Sequence, residues 1–220
     1  MGDMNQFNLV KKYSQLVKGS ILEIGSKDYG STPDFRSLFV GGDYVGVDME
    51  EGKGVDVALD LTTDIEELKL RLGKDHFSAI FCLSVLEHCE DPFKMALNIS
   101  KLMSPGGVLF VSVPFSWRIH GYPSDYWRFT PEGVRKLFPD FNFDEYKGSL
   151  STTIIGETGD LDDYMMRIEF DIKRGLKRRA LGYPGAFLIK FFRILRRAPR
   201  LFSYPYLSPP IMVNMIGIKK

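Results

Sequence analysis

The chain has 220 residues, 44% of them hydrophobic and 26% charged, with a net charge of +1. That is globular material long enough for a full core, and it excludes a disordered or low-complexity chain. Its two cysteines, Cys82 and Cys89, form neither a four-ligand zinc pattern nor a disulfide framework, so they read as reduced thiols of a cytoplasmic protein. The polar start, Met1 to Asn8, has no signal-peptide core, and no run of about 18 apolar residues suggests a membrane span. Charge is uneven: residues 1–170 carry 17 basic against 27 acidic side chains, and residues 171–220 carry 12 against 1. The tail therefore calls for something acidic, either the body of its own chain or another molecule.

In chain order, Leu9, Val10, Tyr13, Leu16 and Val17 recur at helical spacing and predict an amphipathic helix over 7–18. Ile21, Leu22 and Ile24 predict a buried strand over 20–25 that stops at Gly25, with Glu23 the odd residue in it. Pro33 to Val40 is expected to be a helix with Phe35, Leu38 and Phe39 inward, closed by Gly41-Gly42. A second strand over 43–47 ends at Asp48, and a third is expected over 55–61. Thr62 or Thr63 is expected to cap a helix to Leu72. The continuously apolar Phe77–Leu83 predicts a central strand. A helix follows over 92–103, with Phe93, Ala96, Leu97, Ile99 and Leu102 available for burial, then a fifth strand over 108–113. Thr130-Pro131 starts a helix to Phe138, and strands over 141–147 and 210–219 close the chain.

This alternation implies an α/β fold: a doubly wound, seven-stranded, mostly parallel sheet. Residues 1–220 read as one domain, with 150–208 as a helical, basic insertion before the last strand. Within it, Phe187, Leu188, Phe191, Phe192 and Leu195 share one helical face, and Lys190, Arg193, Arg196 and Arg197 the other. Such a helix over 186–197 packs on its own domain or a second subunit, or lies on an anionic membrane face.

Strand, glycine turn, helix, strand and acid make a nucleoside-binding unit, in which Asp48 accepts from ribose hydroxyls or is a solvated turn acid. His88 follows the fourth strand, and His120 and Asp125 follow the fifth, at the edge where α/β sheets bind ligands. Imidazole suits proton transfer, so these three are the catalytic candidates. His88 also reads as a residue that orders its loop, and Asp125 as an ion-pair partner of Arg118 or Arg128. Tyr122, Tyr126 and Trp127, with Arg128, read as a sugar or ring platform, or as core aromatics. No His, Asp or Glu spacing demands a metal, and none is expected.

Taken together, these stretches resemble class I S-adenosylmethionine-dependent methyltransferases. The likeness rests on Leu22-Glu23-Ile24-Gly25-Ser26, Tyr44-Val45-Gly46-Val47-Asp48, Leu59-Asp60-Leu61, Phe77–Cys82, Val85-Leu86-Glu87-His88 and Leu102–Gly107. In place of the usual further glycines behind the first, this chain has Ser26-Lys27-Asp28-Tyr29. The run from His120 to Pro131 looks like a subgroup associated with glycan and polysaccharide biosynthesis.

The resemblance implies S-adenosylmethionine as cofactor. It implies the Gly25 and Ser26 main chain against the methionine moiety, with Glu23 supporting that loop or the amino group. It implies Asp48 at the ribose, Met49 along the adenine, Asp60 and Leu61 near the adenine amino group, and Ser84 beside the cofactor. Glu87 and His88 are implied at the mouth of the substrate pocket. The expected function is O-methylation of a sugar or other small metabolite, free, phosphorylated or lipid-linked, by a cytoplasmic protein, with peripheral contact at the inner membrane face and a homodimer as open options. Two alternatives stand beside it: an RNA methyltransferase gripping nucleic acid with the basic tail, which lacks an RNA-binding module, and a non-catalytic cofactor-binding scaffold.

Overall fold

The computed structural model describes residues 2–30, 32–121, 123–144, 150–154, 157–160 and 211–220. All lie in one compact unit formed by 1–161 with 210–220. Its elements are α1 (Met4–Lys12), β1 (Ile21–Ile24), β2 (Tyr44–Asp48), β3 (Val57–Ala58), α2 (Ile65–Leu72), β4 (Phe77–Leu83), α3 (Pro92–Leu102), β5 (Met103–Pro114), α4 (Pro131–Leu137), β6 (Phe141–Asn142), β7 (Leu150–Ile154), β8 (Glu157–Asp160) and β9 (Met212–Lys219). Short 3-10 turns occupy Ser14–Leu16, Phe35–Phe39 and Leu86–His88.

The described strands form one sheet in the order β3-β2-β1-β4-β5-β9-β7-β8, with β6 also pairing β9. The five strands from β3 to β5 are parallel. Strand β9 returns antiparallel beside β5, from Val108↔Ile218 to Pro114↔Met212. β4 is central because nearly every residue of it is apolar and buried, which suits a strand covered on both faces. Alternation sends Ile21, Ala79, Phe81, Val108 and Phe110 to one face, against Leu9 and Val10 of α1 and Phe35. Leu22, Ile80, Leu109 and Val111 are left for the opposite face, that of α2 to α4. Because the five strands run the same way, Ile24, Asp48, Ala58, Leu83 and Pro114 end along a single edge, and the loops after them share it.

The seven expected strands are all present, and several bounds shift. The first helix ends at Lys12, with Asp3 and Gln6 forming a capping box. Phe35–Phe39 is a 3-10 turn capped by Asp34, where an α-helix from Pro33 was expected. Asp64, rather than Thr62 or Thr63, caps α2 by accepting from Glu66 N–H. The third strand shrinks to two residues, and β5 begins at Met103 and carries through the expected turn at Gly106. Phe93 and Leu97 of α3 are exposed, although their spacing predicted burial. The first residues of the expected helical insertion form a hairpin, β7–β8, with Ser151↔Asp160 and Ile154↔Glu157 in register. β7 joins the sheet through Leu150↔Met215, so the sheet continues where a helix was expected. The basic stretch 186–197 lies outside the described residues. Among the described residues, no helix is long and apolar enough to cross a membrane.

Candidate functional site

The loop after β1 is held by the loop after β2. Gly25 turns at φ +75°, and both Gly25 and Ser26 N–H donate to the Val47 carbonyl, at 2.8 and 3.0 Å. Lys27 N–H approaches Asp48 Oδ2 at 3.4 Å, and Lys27 Nζ reaches Glu50 Oε2 at 2.6 Å. Asp28 binds Lys53 twice: its N–H donates to the Lys53 carbonyl at 2.8 Å, and its carboxylate accepts from Nζ at 2.7 Å. The glycines missing behind Gly25 have counterparts across the gap. A Cβ on Gly46 would stand 2.5 Å from the Gly54 carbonyl oxygen and 2.8 Å from Ser26 Oγ, and one on Gly54 would stand 2.6 Å from the Ser26 carbonyl oxygen. The bulk that Ser26 adds to the first loop is taken up by bare backbone in the second.

Around this loop the expected cofactor residues take different positions. Asp48 is half-buried at the tip of β2, and the neighbouring Met49 side chain is 65% exposed. The Ser26 hydroxyl is buried with no hydrogen-bond partner among the described residues. Glu23 is buried on the α1 side of β1, where Oε2 accepts from Tyr44 Oη at 2.8 Å, and burial raises its pKa above the usual carboxylate value. Its polar contact is thus structural support from β2. Asp60 Oδ1 accepts from both Thr62 N–H and Thr62 Oγ1 at 2.8 Å. Leu61 is buried, and its carbonyl accepts from Asn98 Nδ2 at 2.7 Å.

Ser84 follows β4 at φ +54°, an uncommon conformation for a non-glycine residue and one that concentrates at functional sites. It belongs to a polar chain that the sequence reading missed. Gln6 Nε2 donates to Ser84 Oγ at 2.8 Å and to Ser112 Oγ at 2.7 Å, and Ser112 Oγ donates to Asn214 Oδ1 at 2.6 Å. The signal for it was faint: Asn214 is the one polar side chain in the apolar run from Ile211 to Ile216. Gln6 carried no signal, since helical spacing alone does not say which polar residue faces the sheet.

Beyond Ser84, the sheet edge carries a second cluster. Glu87 and His88 sit on the 3-10 turn Leu86–His88. The loop after β5 docks on that turn, with Tyr126 and Trp127 N–H donating to the Glu87 carbonyl and Trp127 Nε1 donating to the Cys89 carbonyl at 2.9 Å. This docking brings His120 to His88, ring centroids 4.8 Å apart and edge to face. His88 Nδ1 lies 2.5 Å from the Ser124 carbonyl oxygen, and burial lowers the pKa of the ring. His120 Nδ1 lies 3.1 Å from Asp125 Oδ2. Asp125 also accepts from both terminal guanidinium nitrogens of Arg128, Nη2 at 2.7 Å, and that ion pair holds the carboxyl far below its usual range. Between the two readings of Asp125, its ion pair is with Arg128, and it also orients His120. Glu87 is 1% exposed, deeper than a place at a pocket mouth, and burial pushes its carboxyl up to about 7.

Tyr126 and Trp127 are exposed, with Phe115, Trp117 and Ile119, on the same loop. They are not core aromatics. Tyr122 lies outside the described residues. Cys82 is fully buried, and burial drives its thiol pKa up, so it is an inert core side chain.

The methyltransferase-domain family matches residues 7–147, more than half of the chain. The chain belongs to that family and is an S-adenosylmethionine-dependent methyltransferase. Solved structures share the fold at low identity. A SAM-dependent methyltransferase from Archaeoglobus fulgidus is 18% identical, with 97% of this chain and 92% of that one covered at a TM-score of 0.54. The 1,6-didemethyltoxoflavin-N1-methyltransferase of Burkholderia thailandensis, bound to its substrate and S-adenosylhomocysteine, is 13% identical, with 99% and 77% covered at 0.53. The YcgJ protein from Bacillus subtilis is 15% identical, with 98% of each chain covered at 0.51. No curated protein sequence matches this chain.

Proposed function

We propose that this chain methylates a hydroxyl group of a sugar or other small metabolite. The observation that carries the reading is the docking of an aromatic loop, with exposed Tyr126 and Trp127, that assembles buried Glu87 with half-buried His88 and His120, braced by Asp125. A ring-shaped acceptor suits the aromatic faces, and an alcohol is the acceptor whose proton must leave as it attacks.

The loops at the other end of the edge suit the cofactor. In favour of the fit are the half-buried Asp48 carboxylate, the exposed Met49, the buried Ser26 hydroxyl without a partner and the loop drawn in by Gly46 and Gly54. On this reading Asp48 takes the ribose hydroxyls and Met49 lines the adenine. Gly25 and Ser26 border the methionine moiety, Asp60 and Leu61 lie near the adenine amino group, and Ser84 stands beside the cofactor. When bound, the cofactor supplies a methyl group made electrophilic by its sulfonium, and the carbon–sulfur bond breaks as the carbon–oxygen bond forms.

The chain's own residues then hold the acceptor in line and assist the loss of its proton. Asp125 fixes the His120 ring by keeping its Nδ1 toward the carboxylate, and the Ser124 carbonyl does the same for His88. The proton of the acceptor hydroxyl leaves through this cluster. Tyr126, Trp127 and Arg128 contact the acceptor, with Tyr122 beside them in sequence.

The test is release of S-adenosylhomocysteine with S-adenosylmethionine and a panel of sugars, nucleotide sugars and phenols, each run beside its O-methyl ether. Turnover is expected with a free hydroxyl and not with its ether. Turnover confined to amines or thiols would refute the hydroxyl reading.

A lipid-linked acceptor draws support from the basic amphipathic sequence 186–197. Anionic vesicles are then expected to bind the protein in a salt-dependent way. Binding unchanged after neutralising Lys190, Arg193, Arg196 and Arg197 would contradict it.

A further inference from the structure

We propose that Glu87, His88 and His120 bind a divalent transition-metal ion, and that this ion takes an oxygen of the acceptor as a further ligand. The second clause rests on the hydroxyl-methylating function proposed above; the first stands on geometry. One ligand atom from each of the three residues lies within 4.8 Å of the other two.

Both imidazoles are set in the tautomer that a metal needs. A carbonyl oxygen only accepts, so His88 Nδ1, 2.5 Å from the Ser124 carbonyl, carries its ring proton, and Nε2 presents the lone pair. His120 Nδ1 stands between two acceptors, Asp125 Oδ2 at 3.1 Å and the Arg118 carbonyl at 3.2 Å, so the same holds there. Metal-binding histidines are oriented in this way, with the far ring nitrogen bound to a carboxylate or a main-chain carbonyl.

The third residue has an unsatisfied carboxylate oxygen. Glu87 is fully buried, its Oε2 has no hydrogen-bond partner among the described residues, and its Oε1 is 3.9 Å from His88 Nε2. Burying a carboxylate unpaired is costly, and a cation at this point offsets that cost. Two imidazoles and one carboxylate also choose the ion. They favour a first-row divalent metal over Mg²⁺ or Ca²⁺, which prefer oxygen ligands.

Three protein ligands leave coordination positions for the acceptor, as in catalytic rather than structural sites. An ion with bonds of about 2.1 Å sets tetrahedral ligand atoms about 3.4 Å apart, so the ligand atoms draw together by up to about 1.4 Å on binding. The His120 loop is tied to the Glu87 carbonyl through Tyr126 and Trp127 N–H, so the segments that supply the ligands are braced against each other. An ion held here lowers the proton affinity of the acceptor hydroxyl. The proton departs to water and the oxygen keeps its electron pair for attack.

The test is titration of chelator-stripped full-length protein with Co²⁺ alone, followed by calorimetry and electron paramagnetic resonance. S-adenosylhomocysteine binding, measured on the same samples, reports an intact fold. One Co²⁺ per chain is expected. Glu87→Gln and His120→Ala are each expected to weaken it by more than about 100-fold, and Asp125→Asn by about 10–100-fold. No stoichiometric uptake by the wild-type protein, or equal uptake by Glu87→Gln and His120→Ala, would overturn the site. Full-rate hydroxyl methylation by stripped protein would overturn the role of the ion and leave the function standing. Stoichiometric Co²⁺ without hydroxyl methylation would support the site and overturn the function.

Discussion

Asp125 holds His120 at two points: its Oδ2 accepts the His120 main-chain N–H at 2.8 Å and lies 3.1 Å from ring Nδ1. The same carboxylate is clamped by Arg128, so its direction is set by a second, charged partner. Asp125→Asn keeps the shape, removes the charge and offers an N–H where His120 needs an acceptor. Methyl transfer is expected to slow by about 10²–10⁴-fold, the usual worth of assisted proton removal. S-adenosylhomocysteine affinity is expected to stay within a few-fold, because the cofactor loops lie on other strands. A comparable fall in cofactor affinity would assign Asp125 to the fold rather than to proton handling.

Gly46→Ala tests how the two cofactor loops fit together. The added Cβ would sit 2.5 Å from the Gly54 carbonyl oxygen and 2.8 Å from Ser26 Oγ. Overpacking of this kind costs about 1–3 kcal/mol. A lower denaturant midpoint and weaker S-adenosylhomocysteine binding are expected together, since Ser26 is displaced along with the Gly54 backbone. Weaker binding at unchanged stability would show that the contact does not brace the fold.

Glu23 gives a pH dependence with a definite sign. Burial raises its carboxyl above the ordinary 4.5, so the folded chain holds a proton that the unfolded chain releases. As pH rises from the ordinary value to the raised one, this group takes stability away, and the loss is complete above the folded pKa. Glu23→Gln keeps an acceptor for Tyr44 Oη and removes the buried charge. The variant is expected to melt higher than the wild-type protein at neutral pH, with the advantage shrinking as pH falls toward 4.5. A melting difference constant across that range would mean that the charge is not the cause.

Much of the architecture was legible because buried parallel strands are continuous apolar runs. Ile21–Ile24, Tyr44–Asp48 and Phe77–Leu83 lie where their composition predicts. Boundaries set by a single side chain were less legible: Asp64 displaced Thr62 and Thr63 as a cap because Asp60 had already engaged Thr62. The hairpin β7–β8 escaped because Leu150–Asp160 is polar and carries little apolar alternation. At the site, Asp48 and Asp125 were legible as acids that follow strands. So was the pairing of Asp125 with Arg128, three residues away, but the Gln6–Ser84 and His88–Ser124 contacts were not, because those residues are 78 and 36 apart. Sequence spacing carries no signal for contacts that only the folded sheet brings together. The same reason explains why the Glu87–His88–His120 grouping did not read as a metal pattern: its third member comes from another loop.

Asp48→Ala removes the acceptor that the account assigns to the ribose. Two hydrogen bonds to a charged acceptor are each worth about 1.5–3 kcal/mol, so S-adenosylhomocysteine affinity is expected to fall by at least about 100-fold. Lys27 N–H also loses a partner, so the melting temperature should be read beside the calorimetry. Full affinity in this variant would refute the placement of the ribose.

The most direct measurement of the central claim is calorimetric titration of the wild-type protein with S-adenosylmethionine and S-adenosylhomocysteine, with NAD as control. Micromolar, one-to-one binding of both sulfur compounds and none of NAD is expected. Absence of binding by either sulfur compound would contradict the claim, because the loop from Gly25 to Gly30 would then be closed to the cofactor on which the proposed chemistry depends.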